Sequence, residues 1–332
     1  MDCLHCGGKS IQDCFMCNFL SCFVDKNKKC IDFWEPNTRG IFSKGIEKSS
    51  KIQYVDWKIK RTNTINDIYF YFVDLYNRDG LCEKKVFCLM AKSGEQYIGY
   101  PVNFIHKFVD YTKIKLLCYE QFNLYIDIQI FNMYGEKEIK RKLQVQKEFV
   151  NNSGIQVNGY GINIYWITSL DILLRLAKRS MFVEPSSGDI FLLCEYVSDY
   201  YLSHEIVHCV LWNRFHTWPS LVFREGAAEA FFPMTYYRPV FFECYFDPKM
   251  IEKDRLERNV DENSAIFLGL FCKFLIVEYG INTFYTAYCH DELDCKGVLK
   301  KVYGIEMDTI LNRFMLWKEK VKENEIYRDN DV

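Results

Sequence analysis

Residues 204–208 limit the possible local structure and chemistry of this chain more than any other stretch. Their sequence is His204-Glu205-Ile206-Val207-His208. Two histidines four residues apart lie one turn apart on the same face of an α-helix, so both imidazoles can reach one metal ion. Glu205 lies beside that face, where it can take a proton from water on the metal. The apolar residues around the pentad predict a helix over 199–214, capped by Ser198 or Asp199. The alternative is an ordinary helix with two hydrogen-bonded histidines.

Composition limits the classes of protein to which the chain can belong. Of its 332 residues, 49% are hydrophobic and 26% are charged, which is typical of about two globular domains with room for a small extra module. The net charge of -2 argues against a dominant nucleic-acid-binding surface. No apolar run reaches about 20 residues, so no transmembrane segment is expected. The N-terminus lacks the basic region of a signal peptide, and we expect a cytoplasmic protein.

Three segments differ in composition and in predicted secondary structure, which suggests three domains. Residues 1–40 form a Cys-rich module, and residues 48–150 read as a β-rich, sandwich-like domain of short strands. The last two strands expected there are Leu124–Phe131 and Glu138–Phe149. Residues 154–325 are mostly helical, with further helices predicted at Glu225–Phe232, Glu262–Tyr279, Ile281–Cys289 and Met307–Lys320.

Two histidines leave a tetrahedral zinc ion short of a protein ligand, and three downstream residues are candidates. His216 precedes Thr217-Trp218-Pro219, which reads as a loop, and it fits no zincin spacing. Glu225 opens the segment Glu225-Gly226-Ala227-Ala228-Glu229, where small residues permit close approach to the first helix. We therefore favour Glu225 as third ligand. Glu229 lies one turn later, where it can accept a hydrogen bond from a ligating histidine.

This pattern resembles the gluzincin zinc metallopeptidases, and among them the peptidase MA-like branch with its HExxH helix followed by an EGxAE helix. The resemblance covers roughly residues 154–320 and implies an α+β gluzincin-like domain. It implies that His204, His208 and Glu225 bind zinc, that Glu205 is the catalytic base and that Glu229 supports a ligand. It also implies that residues 189–193 form an edge strand, along which a peptide substrate would lie.

The sequence also departs from this family. The Gly-x-Met-Glu-Asn signature of the aminopeptidase branch is absent, and Arg224 stands where an Asn is usual. The group that stabilises the oxyanion is left open among Tyr236, Tyr237, Tyr279 and His290.

The Cys-rich module contains two Cys-x-x-Cys pairs, Cys3 with Cys6 and Cys14 with Cys17. Four thiolates form a plausible structural zinc site in a reducing compartment. The alternatives are disulfides in an exported protein, or thiols without a structural role.

Two functions of different class follow from the sequence. The first is a zinc-dependent peptidase, most simply an endopeptidase, that acts on a peptide or protein substrate. The second is a non-catalytic protein that uses a gluzincin scaffold for protein binding or regulation. The retained set of His204, Glu205, His208 and Glu225 favours the enzyme. A nucleic-acid-binding protein with a zinc module is a third reading, which the charge balance disfavours.

Overall fold

The computed structural model describes residues 10–25, 27–36, 39, 42–43, 54–65, 67–80, 82–92, 95–155, 157, 161–168, 181–184, 187–217, 219–233, 262–290 and 294–323. These residues form a mixed α+β protein, which confirms the expected class at that level. None of their helices combines the length and the apolar character needed to cross a membrane.

The described residues group into two compact units. The first comprises those within 1–116, 125–130 and 165–195, and the second those within 117–124, 131–164 and 196–332. The sequence instead places boundaries near residues 40–48 and 150–154. Whether the three predicted segments fold independently stays a prediction.

A four-stranded antiparallel sheet lies in the first unit, with its strands in chain order. Asp79-Gly80, a pair typical of turns, lies between its second and third strands, and Gly80 has φ 77°, a backbone angle that favours glycine. The strands are β1 (Tyr54–Ile65), β2 (Ile68–Asn77), β3 (Cys82–Lys92) and β4 (Glu95–Gly99).

Helix α1 (Ile11–Val24) covers one face of this sheet. Phe19 and Leu20 are fully buried in a cluster with Tyr71, Phe87 and other sheet residues. The described part of the Cys-rich segment therefore contributes to the core of the first unit. Cys14 and Cys17 lie one turn apart on α1, and Cys17 is buried. Cys3 and Cys6 lie outside the described residues, so the four-thiolate site stays a prediction.

The other face of the first sheet packs on a second cluster that includes Phe104, Tyr165, Phe182 and Phe191. Tyr165, Phe182 and Phe191 belong to a five-stranded sheet with the order β5-β6-β7-β9-β8. Its strands are β5 (Ile114–Tyr119), β6 (Phe122–Asp127), β7 (Ile162–Trp166), β8 (Met181–Val183) and β9 (Ile190–Leu192).

The expectation that residues 189–193 form an edge strand is wrong. β9 lies between β7 and β8, and β8 pairs with it antiparallel from Met181↔Leu192 to Val183↔Ile190. Both edges of β9 are therefore occupied, which leaves no position for a substrate strand along it.

The strand expected at Glu138–Phe149 is also wrong, because this segment lies within helix α2 (Ile128–Ser153). From Ile139 onward, the buried residues of α2 are Ile139, Leu143, Gln146 and Val150, and their spacing of three and four is helical. The strand expected at Leu124–Phe131 ends at Asp127, where β6 gives way to α2. Gly135, with φ 73°, interrupts the helix near its start.

The helical part of the second unit agrees closely with the sequence. The sequence also predicts an amphipathic helix at Leu170–Lys178, which lies outside the described residues. The helix expected at Glu225–Phe232 begins four residues earlier, at Leu221. The helices are α3 (Asp199–Phe215), α4 (Leu221–Ala230), α5 (Glu262–Tyr279), α6 (Ile281–Tyr288), α7 (Cys295–Val298) and α8 (Met307–Glu323).

Candidate metal centre

Helix α3 carries the pentad, and its two ends are defined by local chemistry. At the start, the Ser198 hydroxyl accepts a hydrogen bond from the backbone N–H of Tyr201 at 3.2 Å, which makes Ser198 the N-cap. Leu202, Ile206 and Val207 are buried and anchor the helix. At the end, His216 adopts a left-handed conformation (φ 47°, ψ 41°) and is exposed. His216 therefore terminates the helix and lies outside the ligand group, in agreement with its interpretation from sequence.

Helix α2 holds the first turn of α3 in place. Lys142 Nζ donates to the Val197 carbonyl at 2.9 Å and lies 3.2 Å from Asp199 Oδ1. The amide of Gln146, which is fully buried, donates to the Asp199 carbonyl at 3.0 Å and accepts from the Ser203 hydroxyl at 2.7 Å. The turn before His204 is thus fixed by polar contacts as well as by burial.

Helix α4 carries the second motif, and Gly226 lets it approach a neighbouring helix closely. A Cβ atom on Gly226 would lie 2.5 Å from Cys272 Sγ and 2.7 Å from the Leu268 carbonyl oxygen, both on α5. The sequence predicts close approach to the pentad helix, but the glycine is needed against α5. The contact with α5 fixes the position of α4 and therefore of the neighbouring Glu225.

Three potential ligand atoms converge between α3 and α4. His204 Nε2 and His208 Nε2 are 3.1 Å apart, and each lies 3.5 Å from Glu225 Oε2. A tetrahedral ion with bonds of about 2.0–2.1 Å separates its ligands by roughly 3.3–3.4 Å, which is close to this triangle. Among the described residues, these three form the one group of His, Cys, Asp and Glu side chains that can hold a metal ion.

A second carboxylate orients His204 from the opposite side of the ring. Glu229 is fully buried, and its Oε1 lies 2.7 Å from His204 Nδ1. Because the carboxylate accepts, Nδ1 carries a proton, and Nε2 is the nitrogen that faces the triangle and would bind a metal once the ring is neutral. Tyr200 donates its hydroxyl proton to the same Oε1 at 2.6 Å.

The charges of these groups favour a cation where the ligand atoms meet. Burial disfavours the charged form of His204, but hydrogen bonds to Glu225 and Glu229 outweigh this effect and raise its pKa to about 10. Burial also opposes the charge on Glu225, yet the field of His208 and hydrogen bonds to both imidazoles hold the pKa of this carboxyl well below its usual range. The pocket therefore stabilises positive charge at this point.

No known family model, curated protein or solved structure matches this chain. The interpretation of the centre therefore depends on its own geometry. Two imidazole nitrogens and one carboxylate oxygen form a donor set typical of zinc, and the spacing of the three atoms fits a tetrahedral ion. Glu229 supplies the outer hydrogen bond that a ligating histidine needs, so the residues present fit zinc.

Glu205 shares helix α3 with the two histidines but lies outside the ligand triangle. Its side chain is half-buried, and the structure describes no hydrogen bond from it to another described residue. It adds to the negative field that raises the pKa of His204. It is thus a candidate for moving a proton and is not one of the three ligands.

The sequence did not reveal the roles of two residues at the centre. Tyr200 lies one turn before His204 on the same helical face, so its spacing was a usable signal. Arg224 donates from Nε to Glu225 Oε1 at 2.9 Å, although neighbouring residues of a helix seldom face each other. In addition, His208 Nδ1 is buried and has no hydrogen-bond partner among the described residues.

Proposed function

We propose that the chain is a zinc-dependent metallopeptidase with a gluzincin-like domain. The observation that carries the proposal is the convergence of His204 Nε2, His208 Nε2 and Glu225 Oε2 at separations of 3.1–3.5 Å. Three protein ligands with one open position are typical of catalytic zinc, whereas structural zinc sites are closed by four. The segment proposed as this domain contains β7, β8 and β9 followed by α3 and α4.

The role proposed for each residue of the centre follows from the position of its side chain. His204, His208 and Glu225 would hold the metal, and Glu229 would keep His204 in the tautomer that presents Nε2. Zinc, when bound, supplies a Lewis acid and lowers the pKa of a water ligand to about 7. Glu205 would accept the proton of that water and deliver it to the leaving amine. Its place outside the triangle leaves its carboxylate available for this transfer.

The decisive experiment replaces Glu205 while leaving the ligands in place. Glu205→Gln should retain zinc and the fold but lose peptide hydrolysis by about 10²–10⁴-fold, because only the proton acceptor is removed. Hydrolysis is measured on a diverse peptide library, and zinc by elemental analysis. Glu278→Gln, an exposed position on α5 of the same unit, is the matched control and should cleave like the wild type.

Two outcomes would contradict the enzyme. If Glu205→Gln cleaved at the wild-type rate, the proposed mechanism would be wrong. If the wild-type protein bound zinc stoichiometrically but cleaved nothing in the library, the non-catalytic binding protein would be the better interpretation.

A further inference from the structure

The two oxygens of Glu225 have different partners, and this difference bears on how the residue can bind a metal. Oε2 belongs to the ligand triangle, 3.5 Å from each histidine Nε2. Oε1 accepts the hydrogen bond from Arg224 Nε at 2.9 Å. A carboxylate can bind a metal through one oxygen or both. Here one oxygen faces the centre and the other is held by a guanidinium.

Helix geometry alone does not bring the side chains of Arg224 and Glu225 into contact. Neighbouring residues project about 100° apart around a helix and do not face each other. The arginine side chain must therefore turn along α4 to reach its neighbour. Both side chains are largely shielded, with 24% and 18% of their surface exposed, so the ion pair is less screened than one on the surface. The guanidinium is charged at every pH at which zinc could bind, so the ion pair is not lost by deprotonation of the arginine.

We propose that Arg224 is a positioning residue that restricts Glu225 to binding the metal through Oε2 alone. The inference rests on the proposed function. With Oε1 occupied by the guanidinium, Glu225 supplies one ligand atom and each histidine supplies another. The fourth position then stays open for water and for the substrate carbonyl, as a catalytic zinc site requires. A Glu225 that bound through both oxygens would crowd that position and, with the water retained, would raise the coordination number to five.

The test uses cobalt(II) in place of zinc, because its visible absorption reports coordination number directly. Four-coordinate cobalt(II) absorbs more strongly than five- or six-coordinate cobalt(II). The full-length wild-type protein should show the intense four-coordinate spectrum. Arg224→Met keeps a long apolar side chain but frees Oε1, and we expect a weaker spectrum at equal cobalt content. Zinc affinity, measured by chelator competition, should fall roughly 10–100-fold, as on loss of other outer partners.

Two further variants separate positioning from a general structural effect. Arg224→Lys retains the charge with a shorter reach and should restore part of the wild-type spectrum. Arg313→Met removes the same charge from an exposed position on α8 and should change neither spectrum nor affinity. X-ray absorption of the zinc-loaded wild-type protein needs no variant and should show a single Glu oxygen on the metal.

The proposal is overturned if the wild-type Glu225 binds through both oxygens, or if Arg224→Met gives the wild-type spectrum. Either result leaves the peptidase proposal standing, provided that the protein binds metal and cleaves peptides. If the wild-type protein binds neither cobalt nor zinc, the metal centre itself is wrong and both proposals fail.

Discussion

Glu225 and Glu229 lie one turn apart on α4, yet they face different atoms of the same histidine. Glu225 Oε2 lies 3.5 Å from His204 Nε2, whereas Glu229 Oε1 lies 2.7 Å from Nδ1 on the far side of the ring. One residue is placed to bind the metal and the other to orient the ligand. The two substitutions should therefore differ in severity.

We expect Glu225→Ala to abolish stoichiometric zinc binding, because it removes one of three ligand atoms. His216→Ala should leave zinc content unchanged, since His216 is an exposed helix terminus outside the group. Elemental analysis of both purified variants checks this. Loss of zinc from His216→Ala with retention in Glu225→Ala would move the third ligand to His216.

Glu229→Ala should weaken zinc binding by about 10–100-fold without abolishing it, the usual cost of losing a supporting carboxylate. Tyr200→Phe should have a smaller effect in the same direction, because it removes one hydrogen bond to Glu229 Oε1 and leaves the carboxylate in place. Chelator competition ranks the variants. An equal loss from Glu225→Ala and Glu229→Ala would indicate that Glu229 is itself a ligand.

At the scale of elements, α4 depends on its contact with α5. Gly226 faces Leu268 and Cys272 without room for a side chain, and Cys272 is fully buried. Because Glu225 precedes this glycine, a shift of α4 away from α5 would also move the third ligand. Stability and metal binding are thus coupled at Gly226.

Gly226→Ala should lower the free energy of unfolding by about 1–3 kcal/mol through overpacking, despite the better helix propensity of alanine. Zinc affinity should fall with it. Adding Cys272→Ala should recover part of the stability, because the Sγ contact disappears while the Leu268 carbonyl remains. Urea unfolding of the single and double variants measures this. A single variant as stable as the wild type would show that α4 and α5 separate at little cost.

At the scale of the whole molecule, the Cys-rich segment is joined to the first unit by α1. Met16, Phe19 and Leu20 are buried with the first sheet, so deleting residues 1–40 would remove part of a core. Point substitutions are therefore the cleaner way to test the predicted four-thiolate site.

The reduced protein should carry two zinc ions per chain if Cys3, Cys6, Cys14 and Cys17 hold one of them. The double variant Cys3→Ser with Cys6→Ser should carry one and keep the metal centre of the second unit, because a closed thiolate site is lost independently. Thiol titration of the denatured, metal-free protein is the check. All fifteen cysteines should react. About nine to eleven reactive thiols with one zinc ion would instead indicate disulfides and an exported protein.

Several features follow from the sequence because they are local. The spacing of His204 and His208 places both rings on one face of any helix that includes them, and Ser198 caps that helix as expected. The bounds of α5 agree with the prediction at both ends. Its apolar pattern and the residues that flank it are local signals, which do not depend on contacts with other elements. Strand β1 likewise shows a local pattern, because half-buried and exposed residues alternate from Trp57 to Lys60.

The tertiary structure decided what depends on contacts between distant residues. Glu138–Phe149 resembles a strand by composition, yet burial at Ile139, Leu143 and Gln146 makes it a helix packed on the start of α3. Tyr200 meets Glu229 across 29 positions, and Gly226 meets α5 instead of α3. β8 pairs with β9 and places it inside the sheet, where the family resemblance implied an edge strand. A local pattern specifies which face of an element is apolar, but which partner covers that face is determined only when the whole chain has packed.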